Sequence, residues 1–231
     1  MGFQLPNGSS LQIHKTLATS PLAFTAMSAA KDAVLTVTGN TGNNAIQKGD
    51  VVYFTETTSP NLLYYPAIVK AATDTSVTIL DLDTTDATLY PTGITGKISK
   101  VIDWVDLPLT STIANSGGDA NTTTVQFIQD DKARNLFTTT NPEITTLTMA
   151  HDSTDAARPS LQEHTRKQDF VVYRVFNPRA ANGVGEWRLY TVQIQFNGNP
   201  VMAINEVETV SVAMTIQKGP NIYLKSIVDA L

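Results

Sequence analysis

The sequence predicts a mainly β fold, a sandwich or barrel with one short flanking helix and a small additional β subdomain. Apolar and polar residues alternate along the last two long segments, and short β-type segments recur between turn-forming residues through much of the chain. Side chains of a strand point alternately to its two faces, so such alternation marks a sheet with one buried and one solvent-facing side. The charged fraction of 16% is low for a soluble domain and indicates a surface solvated by hydroxyls and amides.

The chain divides into three parts in the order of its β signals. Residues 1–32 predict an N-terminal arm with the first core element, which is one strand or a short helix. Residues 33–100 predict a small β-rich subdomain, because several short strands at regular spacing are typical of a small barrel or sandwich. Its expected strands are Ala33–Thr38, Val51–Phe54, Leu62–Val69, Ser76–Leu82 and Lys97–Val105.

The remainder, residues 101–231, predicts the main core. Residues 106–122 contain few large apolar side chains and predict a long flexible loop. Strands are expected at Thr123–Gln129 and Ile144–Met149, and the one convincing helix lies near residues 155–167. Ser153 or Thr154 is the expected N-cap, with Pro159 tolerated in the first turn.

The expected strand Phe170–Phe176 follows the helix, and the two long strands after it carry the clearest pattern. The turn predicted at Asn197–Pro200 follows the first of these two strands. Gly219-Pro220 is expected to end the last strand, and the apolar residues in the tail 221–231 predict that it docks on this subunit or a neighbour. The polar sides of the two alternating strands consist of Thr191, Gln193 and Gln195 in one and Thr209, Ser211, Ala213 and Thr215 in the other.

Charge and composition argue against several classes of function. The net charge is −5 and no basic stripe is present, whereas nucleic-acid binding needs cations that neutralise phosphates. The chain has no cysteine, which excludes disulfides and thiolate ligands and is compatible with assembly in a reducing cytosol. No signal peptide and no apolar run long enough for a membrane span are expected.

No catalytic, cofactor-binding or metal residue is predicted, so we expect a protein that is not an enzyme. The three histidines lack metal-site spacing, and His164 is expected on a solvated helix face. Asp81–Asp86 lacks the glycine and glutamate of an EF-hand, so a solvated turn is favoured over another kind of calcium site. Trp104 and Trp187 lie in expected strands, where a core role is favoured over sugar stacking.

The order of these features resembles that of the major tail tube proteins of long, non-contractile-tailed bacteriophages. The resemblance covers most of the chain and depends on the order of the pieces, since no single piece is a strict motif. The pieces are Gly2–Gly8, Ala33–Thr38, Lys48–Tyr53, Ile102-Asp103-Trp104 with its Ser/Gly-rich continuation, Ile144–Met149, the short helix, Phe170–Phe176, the strand with Trp187 and Tyr190, Ile204–Val207, and the alternating strand closed by Gly219-Pro220.

The resemblance implies a tail-tube fold, with homohexameric rings whose inner strands join into one barrel around a channel. Rings stack into a tube in the virion tail, assembled in the host cytoplasm. The implied partners are copies of the chain, a tape-measure protein, a tail terminator and a distal tail protein. Double-stranded DNA passes through without specific binding, and no membrane or cofactor is involved. The physics agrees, because joining strands around a ring removes free edges and head-to-tail contacts that do not close give a filament.

On this reading two sets of residues have assigned places. The lumen-facing candidates are Thr191, Gln193, Gln195, Thr209, Ser211, Ala213 and Thr215. The inter-ring candidates lie in the expected loop and are Leu107, Leu109, Ile113, Asn115, Gly117, Gly118 and Asp119. The subdomain 33–100 is expected on the outer wall.

Two alternatives remain open at this point. The first is another β-sandwich virion protein, namely a tail terminator, a neck protein or a decoration protein. Filament formation by the pure protein separates these, because a terminator caps and does not polymerise. The second is a carbohydrate-binding adhesin module, which would need exposed aromatic residues in a row and usually a signal peptide.

Overall fold

Strands predominate in the computed structural model, which describes residues 7–42, 44–129 and 131–231. The predicted mainly β fold class is confirmed. Residues 1–6 of the predicted arm lie outside the described part. The strands are β1 (Ser10–Leu17), β2 (Leu22–Met27), β3 (Val34–Val37), β4 (Val51–Thr57), β5 (Pro66–Ala72), β6 (Ser76–Ile79), β7 (Gly96–Asp106), β8 (Thr110–Ser116), β9 (Ala120–Val125), β10 (Arg134–Thr140), β11 (Ile144–Ala150), β12 (Phe170–Asn177), β13 (Glu186–Val201) and β14 (Thr209–Leu224). The helices are α1 (Ala157–Lys167), α2 (Ala180–Gly183) and α3 (Lys225–Asp229).

A small closed barrel forms the first part of the fold. Its strands follow the order β2-β3-β6-β5-β4-β7, and β2 pairs again with β7 to close the circle. Phe24, Leu35, Phe54 and Ile98 fill the interior and are at most 2% exposed. Closure leaves the barrel without a free edge. The barrel begins at β2, earlier in the chain than residue 33, while the predicted domain boundaries themselves stay a prediction.

The main sheet continues from the second half of β7 in the order β7-β1-β12-β13-β14-β11-β8. The chain passes from the end of β7 to the start of β8 through only Leu107–Leu109. Six strand spacings of about 4.8 Å would separate these strands by roughly 29 Å in a flat sheet, and the connection spans about 15 Å at most. The sheet therefore curls round, so that β7 and β1 approach β8 and β11 across an enclosed core.

Helix α1 lies between β1 and β13. It contacts β13 beyond Gln193, where β12 does not pair with that strand. Leu161 is 1% exposed and packs into the enclosed core with Ile13 and Val192. The Thr165 hydroxyl accepts a hydrogen bond of 2.9 Å from the Phe196 N–H. The prediction of a short helix flanking the core is correct in place, and α1 ends at the predicted residue.

The barrel packs against the outer side of the main sheet. Val51 and Tyr53 of β4 share a buried cluster with Val172 and Leu189 of the sheet. Outside that cluster, the Asn221 side-chain amide donates to the Pro66 carbonyl. The barrel is thus attached to the convex face of β12 and the first half of β13, and the rest of that face stays open.

The prediction of a flexible loop over residues 106–122 is wrong. Thr110–Ser116 forms β8, which pairs with β11, and Ala120–Val125 forms β9, which pairs with β10. These strands carry few apolar residues, but their neighbours supply the hydrogen bonds. The strand predicted at Thr123–Gln129 correspondingly begins earlier and ends at Val125.

Three boundary predictions near the C-terminus are also wrong. Asn197–Pro200 is part of β13, and the connection to β14 consists of residues 202–208. Gly219-Pro220 does not end the last strand, because β14 continues to Leu224. Residues 221–224 of the predicted tail therefore belong to the sheet, where Tyr223 is 5% exposed, and α3 follows.

The N-terminus of α1 differs from the prediction. Ala156 is the N-cap residue and makes no side-chain cap bond, so neither Ser153 nor Thr154 caps the helix. The Asp155 carboxylate accepts a hydrogen bond of 2.7 Å from the Ala157 N–H instead. Pro159 lies in the first turn as predicted, where its missing N–H costs nothing.

The prediction that His164 lies on a solvated helix face is wrong. His164 is 6% exposed; its Nδ1 lies 2.9 Å from the Asp169 carboxylate, and its Nε2 lies 3.1 Å from the His14 carbonyl oxygen. His14 is 2% exposed, and its Nδ1 accepts a hydrogen bond of 2.8 Å from the Val172 N–H. Burial, reinforced by His164 and opposed by Asp169, lowers the pKa of His14 from 6.5 to about 3.

The depressed pKa of His14 predicts a loss of stability in acid. Below pH 6.5 the unfolded chain protonates His14, whereas the folded chain does so only near pH 3. The contribution of neutral His14 to the free energy of unfolding is therefore complete above pH 6.5 and decreases as the pH drops further. The free energy of unfolding should drop by on the order of 2 kcal/mol from this group between pH 6.5 and 4.5. Urea unfolding of the native chain and of His14→Asn, which keeps an acceptor near Val172, measures this at both pH values. An equal drop in both proteins would contradict the assignment.

Candidate assembly surfaces

A polar face covers four neighbouring strands on the convex side of the sheet. The register places Gln193 beside Thr215 and Ile144, and the next row contains Gln195, Ala213 and Thr146. Cross-strand partners share a face, so the rows define one surface. This polar face consists of Thr112, Ala114, Ser116, Ile144, Thr146, Thr148, Ala150, Gln193, Gln195, Asn197, Thr209, Ser211, Ala213 and Thr215. None of these residues is charged, and each is exposed or half-exposed.

Six of the seven lumen-facing candidates lie together on the polar face. Thr191 does not, because it is completely buried. Its cross-strand partner Val172 belongs to the cluster beneath the barrel, and the pairing of β13 with β14 shifts register on both sides of Thr191. Thr191 is therefore removed from the set. The assignment of the other six to a lumen stays a prediction.

Sequence reasoning missed the half of the polar face that β11 and β8 supply. Thr146 and Thr148 alternate with the buried Leu147 and Met149, so the pattern of β11 carried a usable signal. The contribution of β8 was hidden because residues 106–122 were interpreted as a loop.

Strand β8 is the open edge of the main sheet, since among the described residues it pairs only with β11. The Ala150 N–H donates to the Leu109 carbonyl, and the His151 N–H donates towards β14, to the Glu208 carbonyl. Main-chain groups alternate in direction along an antiparallel strand, so the even-numbered residues of β11 face β8. Their partners in β8 are also even-numbered, and the N–H and C=O groups of Ile113 and Asn115 therefore point outward.

Strands β9 and β10 form a two-stranded ribbon that leaves the sheet at a bend. We use "the ribbon" for residues 119–140. Gly117 and Gly118 have φ of +84° and +77°, and a Cβ on Gly117 would lie 2.0 Å from the Pro142 carbonyl oxygen. The Gly118 N–H donates to the Asn141 carbonyl, and the Asn141 N–H donates to the Asp119 carbonyl. All residues of β10 are exposed, so the ribbon projects without packing on the core.

The inter-ring candidates are distributed from the end of β7 to the bend. Leu107 packs partly buried against the enclosed core, and Leu109 is 86% exposed. Ile113 lies on the outer edge, whereas Asn115 accepts a hydrogen bond of 2.8 Å from the Thr145 hydroxyl. The last three candidates, Gly117, Gly118 and Asp119, form the bend itself. None of this tests an inter-ring role, which stays a prediction.

Two groups of exposed large apolar side chains lie on the ribbon and at the connection of β13 and β14. The tip patch consists of Phe127, Ile128, Leu136 and Phe137 on the ribbon, between 50% and 103% exposed. The turn patch consists of Val201, Met202, Ile204 and Val207 at the connection of β13 and β14, between 66% and 91% exposed. Groups of exposed apolar side chains are candidates for interaction sites.

No group of three or more His, Asp or Glu residues in the described part of the chain is arranged to hold a metal ion. In the segment Asp81–Asp86 and just beyond it, the Asp83 and Asp86 carboxylates accept hydrogen bonds from the N–H groups of Thr85 and Thr88. Trp104 is partly buried in contact with the Arg174 guanidinium, 3.8 Å from the indole centroid. No helix in the described ranges is long and apolar enough to cross a bilayer.

A β protein with an open sheet edge, a projecting ribbon and apolar patches outside its cores has the surfaces of an assembly subunit. Comparison with known families specifies the class: the family of phage tail tube proteins matches residues 58–225. The chain belongs to that family and is a structural protein of the phage tail. The predicted family resemblance is confirmed.

The other comparisons add little. No curated protein matches the chain. Among solved structures, a chain of the baseplate of the anti-feeding prophage, determined by cryo-electron microscopy with 6-fold symmetrisation, aligns with a TM-score of 0.37 and 7% identity. The alignment covers 79% of this chain and 97% of that chain, and no argument depends on so distant a likeness.

Proposed function

We propose that this chain assembles into rings, hexameric in the family resemblance, that stack into a tube conducting the phage genome. The observation that carries the proposal is the uncharged polar face on four strands bounded by the open edge of β8. A sheet segment of this kind is suited to continuing from one subunit to the next around a channel.

Ring closure would join β8 of one subunit to the facing edge of a neighbour. The other edge of the four-stranded segment is β13 beyond Gln193, where β12 no longer pairs. Helix α1 covers this edge at Phe196, and Pro200 contributes no N–H. Joining the edges would remove the unpaired groups that otherwise invite uncontrolled aggregation.

An uncharged polar wall favours passage of DNA over its retention. Proteins bind DNA without sequence preference mainly through lysine and arginine, which release the counterions of the phosphates. The polar face has no such residue, and its hydroxyls and amides are well hydrated. We infer that a tape-measure protein occupies the lumen before ejection. A tail terminator and a distal tail protein would end the tube, which would be assembled in the host cytoplasm.

Negative-stain electron microscopy of the purified chain over a concentration series tests the proposal. Hollow tubes or stacked rings with a central channel are the expected result. Isolated rings that never stack, even when preformed tail tips are added as nuclei, would favour a tail terminator. A chain that forms neither rings nor tubes with those nuclei would contradict the proposal.

A further inference from the structure

A polar cleft of about 320 Å³ lies where the barrel meets the main sheet. It is lined by Asp50 and Lys100 on the barrel side and by Trp104 and Arg174 on the main-sheet side. The Lys100 ammonium lies 2.7 Å from the Asp50 carboxylate and donates a hydrogen bond of 3.0 Å to the Ala45 carbonyl. The charge of Lys100 is therefore balanced within the cleft, and Arg174 is its second cation.

Two aromatic rings and an amide hold the Arg174 guanidinium in place. Its central carbon lies 3.8 Å from the ring centroid of Trp104 and 5.1 Å from that of Trp187. Its Nε–H donates a hydrogen bond of 2.5 Å to the side-chain oxygen of Gln12. These contacts restrict a long side chain before any ligand arrives, so less rotamer freedom is lost on binding.

Within the described part of the chain, Arg174 has no carboxylate at ion-pair distance. The charge of Asp106 acts on it, but that carboxylate accepts a hydrogen bond of 2.6 Å from the Gln12 amide, which lies between the two charges. Burial lowers the pKa of Arg174 to about 10, so the group stays charged at neutral pH. A guanidinium presents a planar fork of N–H donors that matches a carboxylate, and only Nε has a side-chain partner among the described residues.

We propose that the cleft binds the carboxylate of an Asp or Glu side chain from a second copy of the chain, with Arg174 as its bidentate partner. A second copy is the occupant that charge complementarity favours, because the chain carries 21 acidic and 16 basic residues and assembled copies present an excess of carboxylates. The inference rests on the proposed function, since it needs assembled copies. Bidentate charge-assisted bonds add geometric specificity, so the cleft fixes the orientation of one copy against another.

Carbodiimide cross-linking of the variant Arg174→Lys tests the contact, because this reagent couples an amine to a carboxylate in contact with it and leaves arginine unchanged. The heavy-isotope-labelled variant is assembled into tubes with an excess of unlabelled native chain, checked by electron microscopy and analysed by mass spectrometry. We expect position 174 of the labelled chain to be coupled to an acidic residue of an unlabelled chain. The matched control Arg179→Lys carries the same amine at an exposed position outside the cleft and should give no such pair.

The native chain provides a second readout that does not depend on the folding of a variant. Phenylglyoxal, which modifies arginine, should react with Arg174 in the free subunit and lose that reaction in tubes, while Arg179 reacts in both. Coupling of position 174 only within its own chain, to Asp50 or Asp106, would overturn the inference, as would equal reactivity of Arg174 in free subunits and tubes. In both cases the tube itself would remain. If the nucleated native chain forms no tubes, the proposed function fails and the inference fails with it.

Discussion

Deleting the ribbon is expected to abolish tubes and to leave a folded subunit. The deletion removes residues 119–140 and joins Gly118 to Asn141. These two residues are already hydrogen-bonded across the bend, and Gly118 has the positive φ that a tight connection needs. Neither core loses a residue, because the exposed ribbon packs on neither. The exposed apolar side chains of the tip patch are removed with the ribbon.

Microscopy and thermal unfolding measure the two halves of this prediction. The melting temperature should stay within a few degrees of the native value, and assembly should stop at single rings or monomers at every concentration. Normal tubes from the deleted chain would contradict the role of the ribbon. If the deletion impairs folding, the variant that replaces Phe127, Ile128, Leu136 and Phe137 by Thr keeps the ribbon backbone and decides the question.

The ribbon also shows why part of the fold escaped prediction. Residues 106–122 are rich in Gly, Ser, Thr and Asn, a composition that predicts a loop when each segment must bury its own apolar residues. In the fold, β8 is held by main-chain bonds to β11 and by contacts such as Thr145 with Asn115. Nothing in the local sequence specifies that partner.

Where a strand has one buried face, the sequence was sufficient to predict which of its residues enter the core. The apolar residues Val192, Ile194, Val212 and Met214 enter the enclosed core, and their polar neighbours face outward as the alternation predicts. The exception, Thr191, depends on the barrel that covers its side of the sheet. A packing partner distant in the chain thus overrides the local pattern.

Packing partners that are distant in the chain also explain the wrong predictions for His164 and for the turn at Asn197–Pro200. His164 is buried by contact with β1, which lies 150 residues away in the chain, so its local helical context suggested exposure. The sequence Asn197–Pro200 has turn chemistry, yet it runs through the end of a long strand where Val201 still pairs with Thr209. Turn propensity is weak against the pairing of a 16-residue strand with its neighbour.

Blocking the outward edge of β8 should prevent ring closure. The Ile113 N–H points away from β11, so Ile113→Pro removes an outward donor and leaves the bonds between β8 and β11 in place. Proline is tolerated on sheet edges, where its missing N–H faces solvent. We expect the variant to fold and to remain monomeric, because one donor at the centre of the proposed joint is lost and the pyrrolidine ring occupies the approach of a neighbouring strand.

Two matched variants separate the backbone effect from other causes. Ile113→Thr removes the apolar side chain but keeps the N–H, and it should still form rings. Ala114→Pro removes a donor that faces β11, and it should destabilise the subunit itself by about 1–3 kcal/mol, the cost of leaving a ladder acceptor unpaired. Sedimentation velocity reports the assembly state of each variant, and urea unfolding reports its stability.

The pattern across the three variants decides which interaction joins the subunits. Assembly lost in Ile113→Pro and retained in Ile113→Thr would place main-chain hydrogen bonds of β8 at the joint, as a continuous inner wall requires. Assembly lost in both would assign the contact to the Ile113 side chain, which is 46% exposed, and so to packing. Rings formed by Ile113→Pro would mean that β8 is a true outer edge. The polar face would then end at each subunit, and the wall of the channel would have to be built from other strands.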